Sequence, residues 1–232
     1  EWSQADLMKL LNPGYENEAV GGSLYWNSKS GICYNDRFNA TTNCDFTSIG
    51  IKGNLKNLIN DAVWNTGTNG MNGYGTSDYG LAKHFYSYER SNSIGKICTD
   101  GDTCNDTVER TTEWTGKIAL MYPSDYGYAT SGGEILDRTA CLNKELYNWN
   151  DSSVSDCKNN NWLYESNNTK WTLTPHAYSI YAHFVFDIFP TGQVQSNGVT
   201  LGRAINPVVY LLSSVRIISG TGSSSDPFIL GM

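Results

Sequence analysis

Trp171-Thr172-Leu173-Thr174-Pro175-His176-Ala177-Tyr178-Ser179-Ile180-Tyr181-Ala182-His183-Phe184-Val185-Phe186-Asp187-Ile188-Phe189 is the most informative run in this sequence. Its aromatic side chains make large contacts with few torsions to freeze, and the Ser and Ala between them leave room to adapt. That is the chemistry of a recognition surface. An aromatic core strand would have the same composition, and alternation separates the two. With Val185 and Ile188 facing inward, His183, Phe184, Asp187 and part of Phe186 or Phe189 must look elsewhere. A strand is expected over 184–189, with a recognition surface beside it.

Elsewhere the same grammar recurs as short apolar runs broken by Gly, Asn, Ser and Asp, placing further strands at 117–121, 208–212 and 215–218. Two helices are expected nearer the N-terminus. The first covers 3–12, with Ser3 as N-cap, Trp2 stapled onto Leu7 and Asn12-Pro13-Gly14 as the stop. The second covers about 53–64, where Leu55, Leu58, Ile59, Ala62 and Val63 fall on one helical face. Between 67 and 80 almost every residue is Gly, Asn, Thr, Ser, Asp or Tyr, which reads as a long loop, and loops of that length are usually functional. No repeat or linker is visible. The expectation is a single α+β domain over 1–232, with long irregular segments held by disulfides and aromatics.

Composition narrows the function classes. The 232 residues include 24 Asn, 23 Ser, 20 Thr and 23 Gly, so the helix formers of bundles and coiled coils are scarce. The balance of 16 basic to 23 acidic residues gives −7, with no basic cluster to follow a phosphate backbone, which argues against nucleic acid. The longest apolar runs, such as Val208-Val209-Tyr210-Leu211-Leu212, fall far short of the roughly 20 residues that cross a bilayer. The chain opens at Glu1-Trp2-Ser3, so it is expected to be a trimmed piece of a precursor whose N-terminal signal or anchor is absent from this chain.

Six cysteines stand at Cys33, Cys44, Cys98, Cys104, Cys141 and Cys157. An even count suggests an oxidising compartment, and six allow fifteen connectivities. Nearest-neighbour pairing, Cys33 with Cys44, Cys98 with Cys104 and Cys141 with Cys157, is the expected set. Zinc is not expected, because there is no CxxC pair and His84, His176 and His183 are not at ligand spacing to any Cys.

No catalytic pattern stands out. There is no G-x-S-x-G elbow, and the three His have no recognisable partners. A carboxylate pair for glycoside cleavage would be drawn from Asp125, Glu134, Asp137 and Asp187, with solvated loop acids as the plainer explanation. Asp100-Gly101-Asp102-Thr103-Cys104-Asn105-Asp106, followed by Glu109, resembles a calcium loop in composition but lacks the EF-hand order, so no cofactor is expected and calcium is the one metal left open. Trp149-Asn150-Asp151 matches a tripeptide of calcium-dependent lectins, here by chance in an Asn/Ser-rich loop. Asn39, Asn105, Asn150 and Asn167 begin N-x-[ST] triplets, which arise freely in such a composition.

The run Trp114-Thr115-Gly116-Lys117-Ile118-Ala119-Leu120-Met121-Tyr122-Pro123-Ser124-Asp125-Tyr126-Gly127-Tyr128-Ala129-Thr130 carries a resemblance, together with Cys141-Leu142, Trp162-Leu163, Trp171-Thr172-Leu173-Thr174-Pro175, Asn206-Pro207-Val208-Val209-Tyr210-Leu211 and Gly220-Thr221-Gly222-Ser223-Ser224-Ser225-Asp226-Pro227-Phe228. These residues resemble surface proteins of gut bacteria, which are in turn similar to the variable proteins of diversity-generating retroelements. The resemblance implies a C-type lectin-like fold whose C-terminal part, about 176–206, is rewritten at template adenines. Templates built on AAY codons never yield Lys, Gln, Glu, Met or Trp, and 176–189 contains none of them. Gln193 and Gln195 then belong to the fixed scaffold, and Asn206 stands where the family carries Arg before Pro-Val. The formylglycine-generating enzymes share that fold but need a reactive Cys pair, and here the cysteines are expected to be paired locally.

Taken with the composition, the resemblance implies a non-enzymatic, extracellular ligand-binding or adhesin domain, secreted or on the bacterial surface, whose target is a protein or a glycan. The expected contact residues are His176, Tyr178, Ser179, Tyr181, His183, Phe184, Asp187, Phe189, Asn197 and Arg203. The alternatives are a pilin-like structural subunit that packs with other subunits of a surface pilus and, less favoured, a glycan-acting hydrolase.

Overall fold

A computed structural model describes residues 5–12, 53–66, 80–90, 113–176, 184–223 and 225–232. They fall into two compact units, and neither is a contiguous segment. The larger lies within 1–5, 63–114 and 119–208, and the smaller within 6–62, 115–118 and 209–232. The architecture is α+β with short, mostly antiparallel strands, as the sequence indicated.

The larger unit is organised by a four-stranded sheet. Its strands are β4 (Lys170–Pro175), β5 (Phe184–Ile188), β6 (Val194–Gly198) and β7 (Ala204–Ile205), in the order β6-β5-β4-β7. β5 pairs antiparallel with both neighbours, whereas β7 joins β4 in parallel. Thr, Val, Ile, Phe and Trp dominate β4 and β5, and such side chains suit a pleated, half-buried surface. Period-two alternation puts Phe184, Phe186 and Ile188 on one side of β5, and Val185 and Asp187 on the other. Phe186 and Ile188 enter the core with Phe85, Met121, Tyr126, Leu146, Trp149 and Val194. The expectation that Val185 and Ile188 share the inner face is therefore corrected, because residues three apart in a strand point to opposite sides.

Helices cover the core side. α3 (Ala82–Glu89) buries Ala82, Phe85 and Glu89, and the Phe85 ring meets Phe186 edge-on at 5.1 Å. α4 (Pro123–Tyr128) starts with Pro at its first position, where the missing N–H costs nothing, and Asp125 Oδ2 accepts from Tyr122 N at 2.8 Å. α3 and α4 pack closely, since a Cβ on Gly127 would meet Ala82 Cβ at 2.5 Å. α5 (Arg138–Leu142) is N-capped by Asp137, which accepts from Ala140 N at 2.7 Å. The buried disulfide Cys141–Cys157 ties α5 to α6 (Ser155–Asn159), matching the expected pair. A closed loop of about that length stabilises by roughly 3 kcal/mol. Trp149 lies inside this loop, 5.3 Å from Tyr126 between ring centres and with no exposed surface. Cys33, Cys44, Cys98 and Cys104 lie outside the described residues, as do the calcium-like stretch 100–109 and Ser3.

In the smaller unit, α1 (Asp6–Leu11) falls within the expected 3–12 and buries Met8 and Leu11. Asn12 closes it: its Nδ2 donates to Met8 O and Ile118 O, and its Oδ1 accepts from Ile118 N, each at 2.9 Å. The helix expected at 53–64 is corrected. Only α2 (Gly53–Lys56) forms, followed by a turn, a bridge from Ile59 to Leu211, and β1 (Ala62–Asn65). Asn57, Asn60 and Asp61 favour turns over helix, and Asn60 N bonds instead to Tyr210 O at 2.8 Å. Val63, expected on the buried face, is exposed, while Trp64 is buried as strand alternation requires.

β9 (Arg216–Ser219) and β10 (Ile229–Gly231) form an antiparallel ribbon. Its connection holds the Gly-Thr-Gly block, with the Asp226 carboxylate accepting from Thr221 N at 2.9 Å. Gly220 has φ +93° there, and a Cβ would collide with Pro227 O. The shorter strands β2 (Glu113–Gly116), β3 (Ile118–Leu120) and β8 (Pro207–Val209) complete the pairs β1 with β2 and β3 with β8. β8 is shorter than the expected 208–212, beginning at a Pro that cannot donate.

Candidate functional site

The side of the sheet turned away from Phe186 and Ile188 carries a polar cluster. Register sets it up: Trp171 lies opposite Asp187 on β4 and β5, and Asn197 on β6 lies opposite Val185, one same-face step from Asp187. β7 pairs Ala204 with Lys170 and Ile205 with Trp171, which brings the preceding residue, Arg203, to the same end.

Asp187 is at the centre, with no exposed side-chain surface. Asn197 Nδ2 donates to both of its oxygens at 3.1 Å, and Arg203 Nε donates to Oδ2 at 3.2 Å. Burial pushes the Asp187 carboxyl above its usual range, while the bonds from Asn197 and Arg203 pull it back. Arg203 is about one-fifth exposed, and its Cζ lies 5.7 Å from the Trp171 ring centre and 5.8 Å from that of Phe189. Phe189 is fixed by a tight turn in which its N bonds to Gln193 O and its O accepts from Gly192 N. Gly192 has φ +94°, and the side chain of Lys158 fills the place of a Cβ.

Of the expected contact residues, Asp187, Phe189, Asn197 and Arg203 thus come together. Trp171 joins them without having been expected as a site residue; its signal lay in the register that sets it across from Asp187. Phe184 is half-buried on the other side of β5. His176, another of the expected contact residues, is buried, 4.8 Å from the Phe186 ring, with its N donating to Phe184 O at 2.9 Å. Asp187 is likewise buried, and its carboxylate holds Asn197 and Arg203. Tyr178, Ser179, Tyr181 and His183 lie outside the described residues.

A second carboxyl, Glu89, has no signature in the sequence. It is buried on α3, with Oε1 accepting from Ser124 N at 3.4 Å and Thr174 Oγ1 at 3.2 Å. Oε2 has no hydrogen-bond partner among the described residues. Burial raises this carboxyl to about 7, Asp125 adds to the rise, and Ser124 and Arg90 oppose it. Arg90 itself bonds Asp125 at 3.4 Å and lies over the Tyr122 ring at 4.2 Å.

The other acids considered for a catalytic pair have structural work: Asp125 and Asp137 bond to backbone N–H groups at the starts of α4 and α5, and Glu134 is exposed. Asp151, of the lectin-like tripeptide, accepts from Ser153 N at 2.8 Å. Among the described residues, no group of three or more His, Cys, Asp or Glu could hold a metal ion, and no helix is long and apolar enough to cross a membrane. Comparison with protein-family models, with curated proteins and with solved structures gives no match to this chain.

Proposed function

We propose that this chain is a non-enzymatic ligand-binding domain, secreted or displayed on a bacterial surface, with a C-type lectin-like fold. In this reading its target-facing surface is diversified over 176–206 as in retroelement variable proteins. The observation that carries the reading is the convergence of Trp171, Asp187, Phe189, Asn197 and Arg203 on one side of the sheet, where rigid aromatics and a held guanidinium stand together. Aromatic and Arg anchors of this kind dominate binding energy at protein surfaces. The Cys141–Cys157 disulfide and the packed core behind β5 supply a frame that tolerates change on that side.

The test is to sequence the 3′ end of the gene and its flanks across many isolates. The expected result is substitution concentrated at template adenines within 176–206, beside a reverse transcriptase gene. Uniform sequence without such a neighbour overturns diversification. It favours instead a fixed adhesin or a pilin-like subunit, a reading for which the exposed Ile217, Ile218 and Ile229 of the β9–β10 ribbon speak.

A further inference from the structure

We infer that Arg203 is a receptor for a single carboxylate group on the ligand, an inference that rests on the binding reading above. Nε is the only Arg203 nitrogen engaged by Asp187, and among the described residues no group accepts from Nη1 or Nη2. A guanidinium presents its N–H groups as a planar fork, and the edge formed by the two Nη atoms matches the two oxygens of a carboxylate. The side chain is about one-fifth exposed, so the guanidinium is not sealed off from solvent.

The site is built rather than incidental. Asp187 has no exposed side-chain surface and is itself held at both oxygens by Asn197, so the group that orients Arg203 cannot swing away. Ring centres of Trp171 and Phe189 within 6 Å of Cζ lower the local dielectric and restrict the guanidinium further. Restricting the fork before binding removes part of the ordering cost a ligand would otherwise meet.

Charge selects the class of anion. Asp187 offsets much of the one positive charge, and the chain as a whole carries −7, so a dianionic phosphate or a polyanion is disfavoured. A monoanionic carboxylate needs only one fork. Its source can be an acidic sugar, whose ring would lie on Trp171 and Phe189, or an acidic amino-acid side chain.

The experiment titrates methyl β-D-glucuronide, the uncharged methyl β-D-glucoside and N-acetyl-aspartate methylamide into the whole chain. Tryptophan fluorescence and the arginine Nη–H signals in NMR report the outcome. Binding of at least one carboxylate probe with a shift of one arginine's Nη–H signals is expected, together with a loss of about tenfold or more in Arg203→Lys, which keeps the charge but not the fork. The glucuronide and the aspartate derivative tell the two sources apart. Equal binding of glucoside and glucuronide overturns the carboxylate receptor while leaving a binding surface in place. No binding of either carboxylate, or binding unchanged in Arg203→Lys, also overturns it. Should Arg203→Lys not fold, the wild-type Nη–H signals decide alone: shifted by carboxylate and not by glucoside, the inference stands; unshifted, it falls. The isolate survey bears on diversification independently of all these results.

Discussion

Asp187 and Glu89 are both carboxyl groups removed from water, yet the two regions around them treat the same chemistry in opposite ways. On the outer side of the sheet, Asp187 has both oxygens bonded by Asn197 and a guanidinium at 3.2 Å. Between α3 and α4, Glu89 has one oxygen bonded and the other without a partner among the described residues, and its nearby cation, Arg90, is shared with Asp125 and the Tyr122 ring. Burial raises both, but only Asp187 has a cation of its own to hold its charge. The difference teaches that partners act against burial to fix the state of a buried acid. In the binding reading proposed above, the region built around a charge is the one that meets the ligand.

The sharpest way to break this contrast is to remove the cation. Arg203→Ala leaves Asp187 buried with only Asn197, and an uncompensated buried charge costs about 3 kcal/mol. Urea unfolding at pH 7 should show that loss. Because the stranded carboxyl then favours its protonated form, the loss should shrink as pH falls and Asp187 takes up its proton. A change under about 1 kcal/mol, with no pH dependence, would mean that Asp187 does not depend on Arg203.

Glu89 gives the opposite sign. Its folded value of about 7 lies above the ordinary 4.5, so the folded state holds a proton that the unfolded chain has released between those limits. Its contribution is complete below pH 4.5 and is lost as pH rises to about 7, a swing of about 3 kcal/mol. Glu89→Gln, which cannot ionise, should flatten this part of the stability profile. It should sit within about 1 kcal/mol of the parent at pH 5 and be the more stable protein at pH 8. Parallel profiles for the two proteins would show that Glu89 is not held as the acid.

The two regions also differ in how openly the sequence announces them. Phe184 to Ile188 is all strand formers bar one, and its neighbours Asn197 and Arg203 belong to the same C-terminal run, so the cluster's members are visible in the sequence even though their geometry is not. Pairing of Cys141 with Cys157 follows from proximity in the chain. Trp171 is not visible as a member, because only register sets it across from Asp187. α3 is hidden for a related reason: its buried stripe is Ala82, Phe85 and Glu89, and a stripe ending in Glu reads as a polar face. At 53–64 the apolar spacing suits a helix, but Asn57, Asn60 and Asp61 bring turns, and Asn60 bonds across to Tyr210. Local pattern reports the elements whose faces are uniform; it misses those whose faces contain a residue satisfied from elsewhere in the chain.

The smallest effect separates the two oxygens of Glu89. Ser124 N and Thr174 Oγ1 both reach Oε1, so the proton is expected on Oε2, the oxygen with no partner among the described residues. Thr174→Val keeps the shape and removes one donor to Oε1. A hydrogen bond to the charged carboxylate is worth more than one to the neutral acid, so the variant should lose about 1 kcal/mol at pH 8 and less at pH 5. The same asymmetry raises the Glu89 value further, moving the midpoint of the pH profile upward. An equal loss at both pH values would place the proton on Oε1 or assign the Thr174 contact to packing. Either result would erase the contrast with Asp187, where Asn197 serves both oxygens alike.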